Sequence, residues 1–184
     1  METVRRHALA AGAVLLLTLL AAGAMAQTAK PQAGTWKEQE FDFQYSGFTS
    51  HYTCGGLREK MLVVLQELGA RPGYTVQELY CGYPETLREH FPTVKLRFAA
   101  LLPLAQGAAA GGATVDGAWK PVNLVGLNKL DRDECELAEQ IAQDLLPLFA
   151  VRNVQKQTGC VPHQETINAM LRLEVFAPLA AAPH

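Results

Sequence analysis

The chain of 184 residues carries 16 basic and 18 acidic side chains, which gives a formal net charge of −2 at pH 7. This balance offers no basic surface for nucleic acid or anionic lipid, so neither is expected as a partner. The four methionines and five histidines form no run, which argues against copper handling.

The first 26 residues have the pattern of an export signal. Two arginines precede an uncharged apolar stretch over residues 8–23, and Ala-Met-Ala at 24–26 fits a small-x-small cleavage site. We therefore predict a cleaved signal peptide over residues 1–26 and a periplasmic location, with full secretion as the alternative. No later segment has the roughly 18 uninterrupted apolar residues of a spanning helix, so no membrane span is expected after cleavage.

The remaining chain is long enough for one domain of ordinary size. Removing 26 of the 184 residues leaves 158, and the loss of Glu2, Arg5 and Arg6 leaves 17 acidic and 14 basic residues, a net charge of −3. Residues 27–40 are predicted to form a mobile leader, and residues 41–184 a single domain. The sequence does not indicate an oligomeric state.

The first half of the domain begins with a predicted strand over residues 41–53. A helix follows over residues 57–69, where apolar side chains recur at helical spacing and charged side chains occupy the other side. Two further strands are predicted over residues 74–81 and 94–101, the second from its clear alternation of apolar and polar side chains.

The second half follows a connection rich in glycine and alanine, residues 105–118. A strand over residues 119–127 precedes a second amphipathic helix over residues 135–149, which its proline is expected to end or kink. Strands over residues 151–160 and 167–176 complete this half, and the last one again alternates clearly.

The acidic run 131–136 precedes the second helix. It lacks the D-x-D-x-D-G pattern of a calcium loop. Asp133 and Glu136 have the spacing of a capping box, and acidic side chains are favoured at a helix N-terminus. We therefore interpret the run as a helix cap.

The two halves, residues 41–104 and 119–179, repeat the order strand, helix, strand, strand. Their closing strands match as LRFAALLPL against LRLEVFAPL, and each half has one cysteine at the start of its helix and one at the end of the next strand. Such self-similarity indicates an internal duplication. We therefore predict an α+β fold of two β-α-β-β repeats, with a mainly antiparallel sheet and two helices on one face.

Four cysteines in an exported chain indicate disulfides, because the compartment is oxidising. The repeat favours Cys54 with Cys81 and Cys135 with Cys160, which would staple each helix to its neighbouring strand. Each bridge would contribute about 3.5 kcal/mol in the chain-entropy model. A pairing across the halves, such as Cys54 with Cys160, remains open because spacing alone does not fix connectivity.

A metal site is an alternative interpretation of the same residues. His51 and Cys54 form one short cluster, Cys160 and His163 form another, and four such groups can ligate zinc. That site would leave two cysteines unpaired in an oxidising compartment. Disulfides are therefore the preferred interpretation, and no metal or other cofactor is expected.

A thiol-dependent enzyme is the second alternative. A cysteine at a helix N-terminus, such as Cys54, has its thiolate favoured by the helix dipole, and His51 or His163 is a candidate base. No G-x-S-x-G, P-loop, G-x-G-x-x-G or H-E-x-x-H pattern occurs. The sequence therefore favours a protein that is not an enzyme.

Arg97 and Arg172 occupy equivalent places on the two closing strands, on the side away from the apolar stripe. Arginines at such places are commonly just solvated. If the second face of the sheet is concave, they form a basic pair suited to an acidic partner or ligand. Five aromatic residues are candidates for lining the same surface, with core packing as the alternative: Trp36, Trp119, Tyr45, Tyr52 and Tyr74.

The stretch HYTCGGLREKMLVVLQELGAR, the cysteine that follows it and the later GCVPH resemble uncharacterised exported proteins of Gram-negative bacteria. The resemblance covers residues 51–176 and implies a periplasmic location, with no activity to carry over. From the sequence we expect a non-enzymatic interaction or ligand-binding module, whose partner is a protein or a small ligand.

Overall fold

The computed structural model describes residues 30–48, 51–79, 91–105, 113–161 and 169–179. These residues form strand, helix, strand and strand, and then the same order again. The elements are β1 (Gln32–Gln44), α1 (Cys54–Glu67), β2 (Thr75–Leu79), β3 (Thr93–Pro103), β4 (Val115–Asn123), α2 (Cys135–Gln140) with its π-helical (Ile141–Leu145) and 3₁₀ (Leu146–Leu148) continuations, β5 (Val151–Gln157) and β6 (Met170–Pro178).

The strands of the described residues form one antiparallel sheet with the order β2-β3-β1-β4-β6-β5. β3 pairs with both β1 and β2, and β6 pairs with both β4 and β5, so the third strand of each half lies between the other two. This is a split β-α-β arrangement, in which a helix connects two parallel strands that another strand separates. The halves meet where β1 pairs with β4, over residues 32–34 and 115–117.

Both helices pack on one face of this sheet, where they bury the main hydrophobic core. Alternate apolar side chains of the central strands point towards them, as the period of two in a strand requires. Burying one such large side chain stabilises the fold by about 1.5–3 kcal/mol. The predicted α+β class, with an antiparallel sheet and two helices, is confirmed. The core includes Leu57, Met61, Leu65, Val94, Leu96, Phe98, Leu137, Ile141, Leu145, Leu171, Leu173 and Val175.

α1 begins with a side-chain cap and ends at a left-handed glycine. The hydroxyl of Thr53 accepts a hydrogen bond from the backbone N–H of Gly56 at 3.0 Å, which satisfies one free donor of the first turn. Gly69 has φ of +71°, the conformation that favours glycine after a helix. It also lies against β6, because a Cβ there would be 2.8 Å from the Cβ of Ala177. The predicted first helix is thus confirmed, with an earlier start at its cysteine.

α2 becomes irregular towards its C-terminus. Pro147 has no N–H to donate to the preceding turn, and the helix widens over residues 141–145 and tightens over 146–148 before it ends at Phe149. The prediction that the proline ends or kinks the helix is confirmed. The predicted capping box is wrong, because Glu134 is the N-cap residue and makes no side-chain bond to the helix start.

Cys135 and Cys160 form a disulfide whose Cα atoms are 5.7 Å apart. It ties the start of α2 to the segment after β5, as predicted, and excludes the alternative bridge between Cys54 and Cys160. Cys54 carries no free thiol. Its predicted partner Cys81 lies outside the described residues, so that pairing stays a prediction.

β1 begins well before the predicted first strand. A mobile leader was expected over residues 27–40 and a strand over 41–53, whereas β1 runs through Gln32–Gln44 and pairs along its length with β3. The local pattern hides this strand because glycine and glutamate are depleted in strands. Similarly, β4 begins at Val115, inside the predicted connection 105–118.

Candidate binding face

The sheet has a second face, opposite α1 and α2, which we call the open face. Because successive side chains of a strand alternate between the faces, it is formed by the strand positions that do not point into the helical core. Several of its charged side chains are well exposed: 71% for Glu38, 52% for Glu40 and 57% for Arg97. Arg97 and Arg172, the two arginines predicted from the sequence, both lie here on exposed positions of β3 and β6.

The centre of the open face is apolar and closely packed around two glycines. A Cβ on Gly34 would be 2.7 Å from the ring of Phe176, and a Cβ on Gly117 would be 2.6 Å from the same ring and 2.8 Å from Leu101. Leu101 and Phe176 are each 1% exposed although they face away from the helices. The glycines therefore let two large apolar side chains lie directly on the backbone of β1 and β4.

Two tryptophans flank this centre, each beside an arginine. The guanidinium carbon of Arg152 lies 4.3 Å from the ring centroid of Trp119, and that of Arg71 lies 5.8 Å from the centroid of Trp36. Both distances allow cation–π attraction. Each arginine also forms an ion pair with a glutamate of the same face. The two halves therefore carry matching groups of tryptophan, arginine and glutamate.

The tyrosines that were predicted as candidates for this surface lie elsewhere. Tyr45 and Tyr52 are buried on the helical side, with 1% and 8% of their surfaces exposed, and Tyr74 packs against the helical core. For these three residues the core-packing alternative is correct.

Arg97 belongs to a compensated group of charges in the first half. Its Nε lies 2.9 Å from one carboxylate oxygen of Glu40, and the Nζ of Lys95 lies 3.0 Å from the other and 3.3 Å from Asp42. Hydrogen bonds from Arg97 and then Lys95 hold the pKa of Glu40 below its ordinary value. Exposed pairs of this kind add little stability, but they neutralise the charge of Arg97.

Arg172 occupies the corresponding place on β6 with different neighbours. The register sets Asn123 of β4 opposite it on one side and Gln155 of β5 on the other, and both are neutral amides. Among the described residues, no carboxylate forms an ion pair with Arg172. The two arginines therefore differ in their electrostatic surroundings, although the sequence predicts them as an equivalent pair.

Arg172 lines a cleft of about 470 Å³ at the end of the open face, where β4 and β6 meet the loop before α2. Arg132 from that loop lines the same cleft, together with the amides of Asn123 and Gln157 and the side chain of Met170. No carboxylate lies in its described wall. Sequence reasoning missed Arg132 because it lies inside the acidic run, whose residues were all interpreted as a helix cap.

The metal site and the thiol-dependent enzyme considered above both require free thiols, and neither Cys54 nor Cys160 has one. The Sγ atom of Cys160 is bonded to that of Cys135 and is not a thiolate ligand. Cys54 is 4% exposed and carries no free thiol, and His163 lies outside the described residues. Within the ranges that the structure describes, no three His, Cys, Asp or Glu side chains are placed to hold a metal ion.

A buried polar network on the helical side joins the two halves. The carboxylate of Glu134, which is 6% exposed, accepts hydrogen bonds from the Tyr52 hydroxyl, from Lys60 Nζ at 2.9 Å and from the backbone N–H of Asp131 at 2.6 Å. Burial acts to lower the pKa of Lys60, but its bonds to Glu134 and Asp131 outweigh this effect and raise it. Burial and the bond to Glu134 raise the pKa of Tyr52.

The polar groups of this network satisfy one another's hydrogen bonds. Every buried side-chain nitrogen and oxygen of the described residues has a hydrogen-bond partner. A ligand would therefore find no unsatisfied buried group there, and the exposed, unevenly charged open face remains as the candidate site.

No helix within the described ranges is both long and apolar enough to cross a membrane. Comparisons of the chain with known protein families, with curated proteins and with solved structures found no match.

Proposed function

We propose that this chain is an exported, periplasmic binding module without catalytic activity, which contacts its partner or ligand through the open face. The observation that carries the proposal is the difference between the two faces of the sheet. The helices close one face over the core, whereas the other presents exposed charged side chains and two half-buried tryptophans on paired strands. Strands hold such groups in fixed positions, which suits recognition. The signal pattern of residues 1–26 supports export.

We also propose that the domain arose by duplication of one β-α-β-β unit. The registers support this origin. Arg97 lies opposite Glu40 and Arg172 lies opposite Asn123. If the two arginines correspond, residue 40 of β1 therefore corresponds to residue 123 of β4. The same alignment of β1 with β4 places Gly-Thr-Trp-Lys (34–37) on Gly-Ala-Trp-Lys (117–120). This second sequence repeat did not enter the sequence prediction.

The pairing of β1 with β4 has the symmetry that a duplication would produce. Gln32 pairs with Gly117, and Gly34 pairs with Val115. In the alignment of β1 with β4 that matches residue 40 to residue 123, position 32 corresponds to position 115 and position 34 to position 117. Each pair is therefore the image of the other about an approximate twofold axis between the halves.

A second disulfide, between Cys54 and Cys81, belongs to the same proposal. Cys54 is the first residue of α1 just as Cys135 is the first residue of α2, and Cys135 is bridged to a cysteine after the next strand. Alkylation of the mature protein followed by non-reducing peptide mapping tests the pairing. We expect one peptide that links Cys54 to Cys81 and no alkylated cysteine. An alkylated Cys81 would contradict the second bridge.

The binding role of the open face can be tested by photocrosslinking in cells that export the protein. A photoreactive amino acid at residue 77 or 121, both exposed on the open face, is expected to capture a protein partner. The same amino acid at residue 59 or 143, both exposed on the helical side, is the matched control and is expected to capture none.

Photocrosslinking to proteins would not detect a small ligand, so native mass spectrometry of the protein isolated from the periplasm tests that alternative. If the open face binds a small ligand, we expect a mass adduct that stays bound to the protein. The proposed function is contradicted if no adduct is retained and the open-face positions capture no more than the helical controls.

A further inference from the structure

We infer that the cleft at Arg132 and Arg172 binds a small oxyanion, a molecule that bears a carboxylate or a phosphate group. This inference names the chemistry of one part of the open face and so rests on the proposed function. Its basis is the contrast between the two arginines at corresponding places in the sheet: Arg97 pairs with a carboxylate of the chain, and Arg172 pairs with none that the structure describes.

The first half shows what neutralises an arginine at this place in the sheet. Glu40 lies opposite Arg97 in the register and bonds to its Nε at 2.9 Å. In the second half, the position opposite Arg172 is Asn123, whose amide has no charge. One change of side chain type, from carboxylate to amide, leaves the positive charge of Arg172 unbalanced.

The surface clefts beside the two arginines also differ in the charges that line them. The first-half cleft, of about 340 Å³, is lined by Arg71 and Arg97 but also by Glu38, which pairs with Arg71. The described wall of the larger second-half cleft contains Arg132 and Arg172 and no carboxylate. Neither arginine forms an ion pair among the described residues. Two guanidinium groups that share one concave surface favour the approach of an anion.

The groups in the cleft also match the geometry of an oxyanion. A guanidinium group donates two parallel N–H bonds to a carboxylate or phosphate, and such charge-assisted bonds are stronger than neutral ones. Asn123 and Gln157 supply further N–H donors, and Met170 supplies an apolar surface for a carbon chain. The volume of about 470 Å³ lies in the range of small-molecule sites. A small organic acid or phosphate ester therefore fits the cleft.

The test is a titration of the mature protein with inorganic phosphate and, separately, with succinate, followed by amide NMR shifts at low ionic strength. We expect saturable shifts confined to residues 123–132, 155–157 and 169–172, and weaker binding as sodium chloride is raised. Saturation by phosphate alone identifies a phosphoryl ligand, and saturation by succinate alone identifies a carboxylate ligand.

Matched variants assign the binding to the cleft. Arg172→Gln and Arg132→Gln are each expected to weaken binding about tenfold, because each removes a charge-assisted bond. Asn123→Glu is expected to weaken it to the same degree while both arginines stay in place, because it copies the Glu40 pairing of the first half. Arg97→Gln, at the corresponding place in the first half, is the control and is expected to bind like the unchanged protein.

Three results would overturn the inference: no saturable binding of either probe, equal weakening by Arg97→Gln and Arg172→Gln, or unchanged binding by Asn123→Glu. Dispersed amide spectra establish that each variant is folded. If neither probe binds while the open-face crosslinks are obtained, only the cleft inference falls. If crosslinks and retained adducts are both absent, the proposed function itself falls.

Discussion

Glu134 is a single residue that connects the two halves of the molecule. It is the N-cap residue of α2, yet two of its three donors, Tyr52 and Lys60, come from the first half. A carboxylate that is 6% exposed needs such partners, because a buried charge without them is strongly destabilising. The sequence prediction assigned this residue to a helix cap, since nothing local indicates that Tyr52, 82 positions earlier, lies against it.

Replacing Glu134 with glutamine is expected to lower the free energy of unfolding by about 2 kcal/mol. Glutamine keeps the shape and can turn its carbonyl oxygen to the backbone N–H of Asp131 and its NH₂ group to the Tyr52 hydroxyl, but it removes the negative charge that compensates the partly buried ammonium group of Lys60. Urea unfolding measures the change. Glu59→Gln, on the exposed side of α1, is the control and should change stability by less than about 0.5 kcal/mol. Equal midpoints for the two variants would show that the network contributes nothing.

The two arginines show how far single residues of the candidate site can be predicted. Their places on the closing strands followed from alternation, and both lie on the open face as predicted. Their different surroundings did not follow, because these depend on which residue of a neighbouring strand stands opposite. The register of β1 with β3 places Glu40 opposite Arg97, and the register of β4 with β6 places Asn123 opposite Arg172. Neither register can be read from the sequence.

At the scale of elements, the local sequence pattern was sufficient to predict a helix or a strand where one face of the segment is buried. α1, β3 and β6 bury clear apolar stripes, and the sequence predicted all three. The first part of β1 buries little of its own surface. This strand exists because β3 supplies its hydrogen bonds and ion pairs, which is a tertiary effect that a local pattern does not contain.

The bridge between α2 and the segment after β5 allows a test at this scale. Replacing both Cys135 and Cys160 with alanine is expected to lower the free energy of unfolding by about 3.5 kcal/mol in the chain-entropy model. Urea unfolding without reductant measures the loss. Val154→Ala, an exposed change on β5, is the control and should have an effect of less than about 0.5 kcal/mol. A loss as small as that of the control would mean that the bridge does not stabilise the fold.

At the scale of the whole molecule, the predicted α+β architecture rests on the order of the elements, which periodicity and the repeated closing strands indicated. The order of strands in the sheet was not predicted. It places β1 and β4 at the centre and the second strand of each half at an edge. That arrangement depends on pairings between residues far apart in the chain, which intrinsic propensities do not encode.

The central strands also bring the beginning and the end of the fold together. Gln32 of β1 pairs with Gly117 of β4, which in turn pairs with Pro178 of β6. Since neighbouring strands are about 4.8 Å apart, the entry and exit points of the chain lie about 10 Å from each other. A circular permutant that starts at β4 and continues from residue 179 to residue 30 through a short linker would keep every strand pair. The order of the two halves along the polypeptide is therefore not a requirement of the architecture.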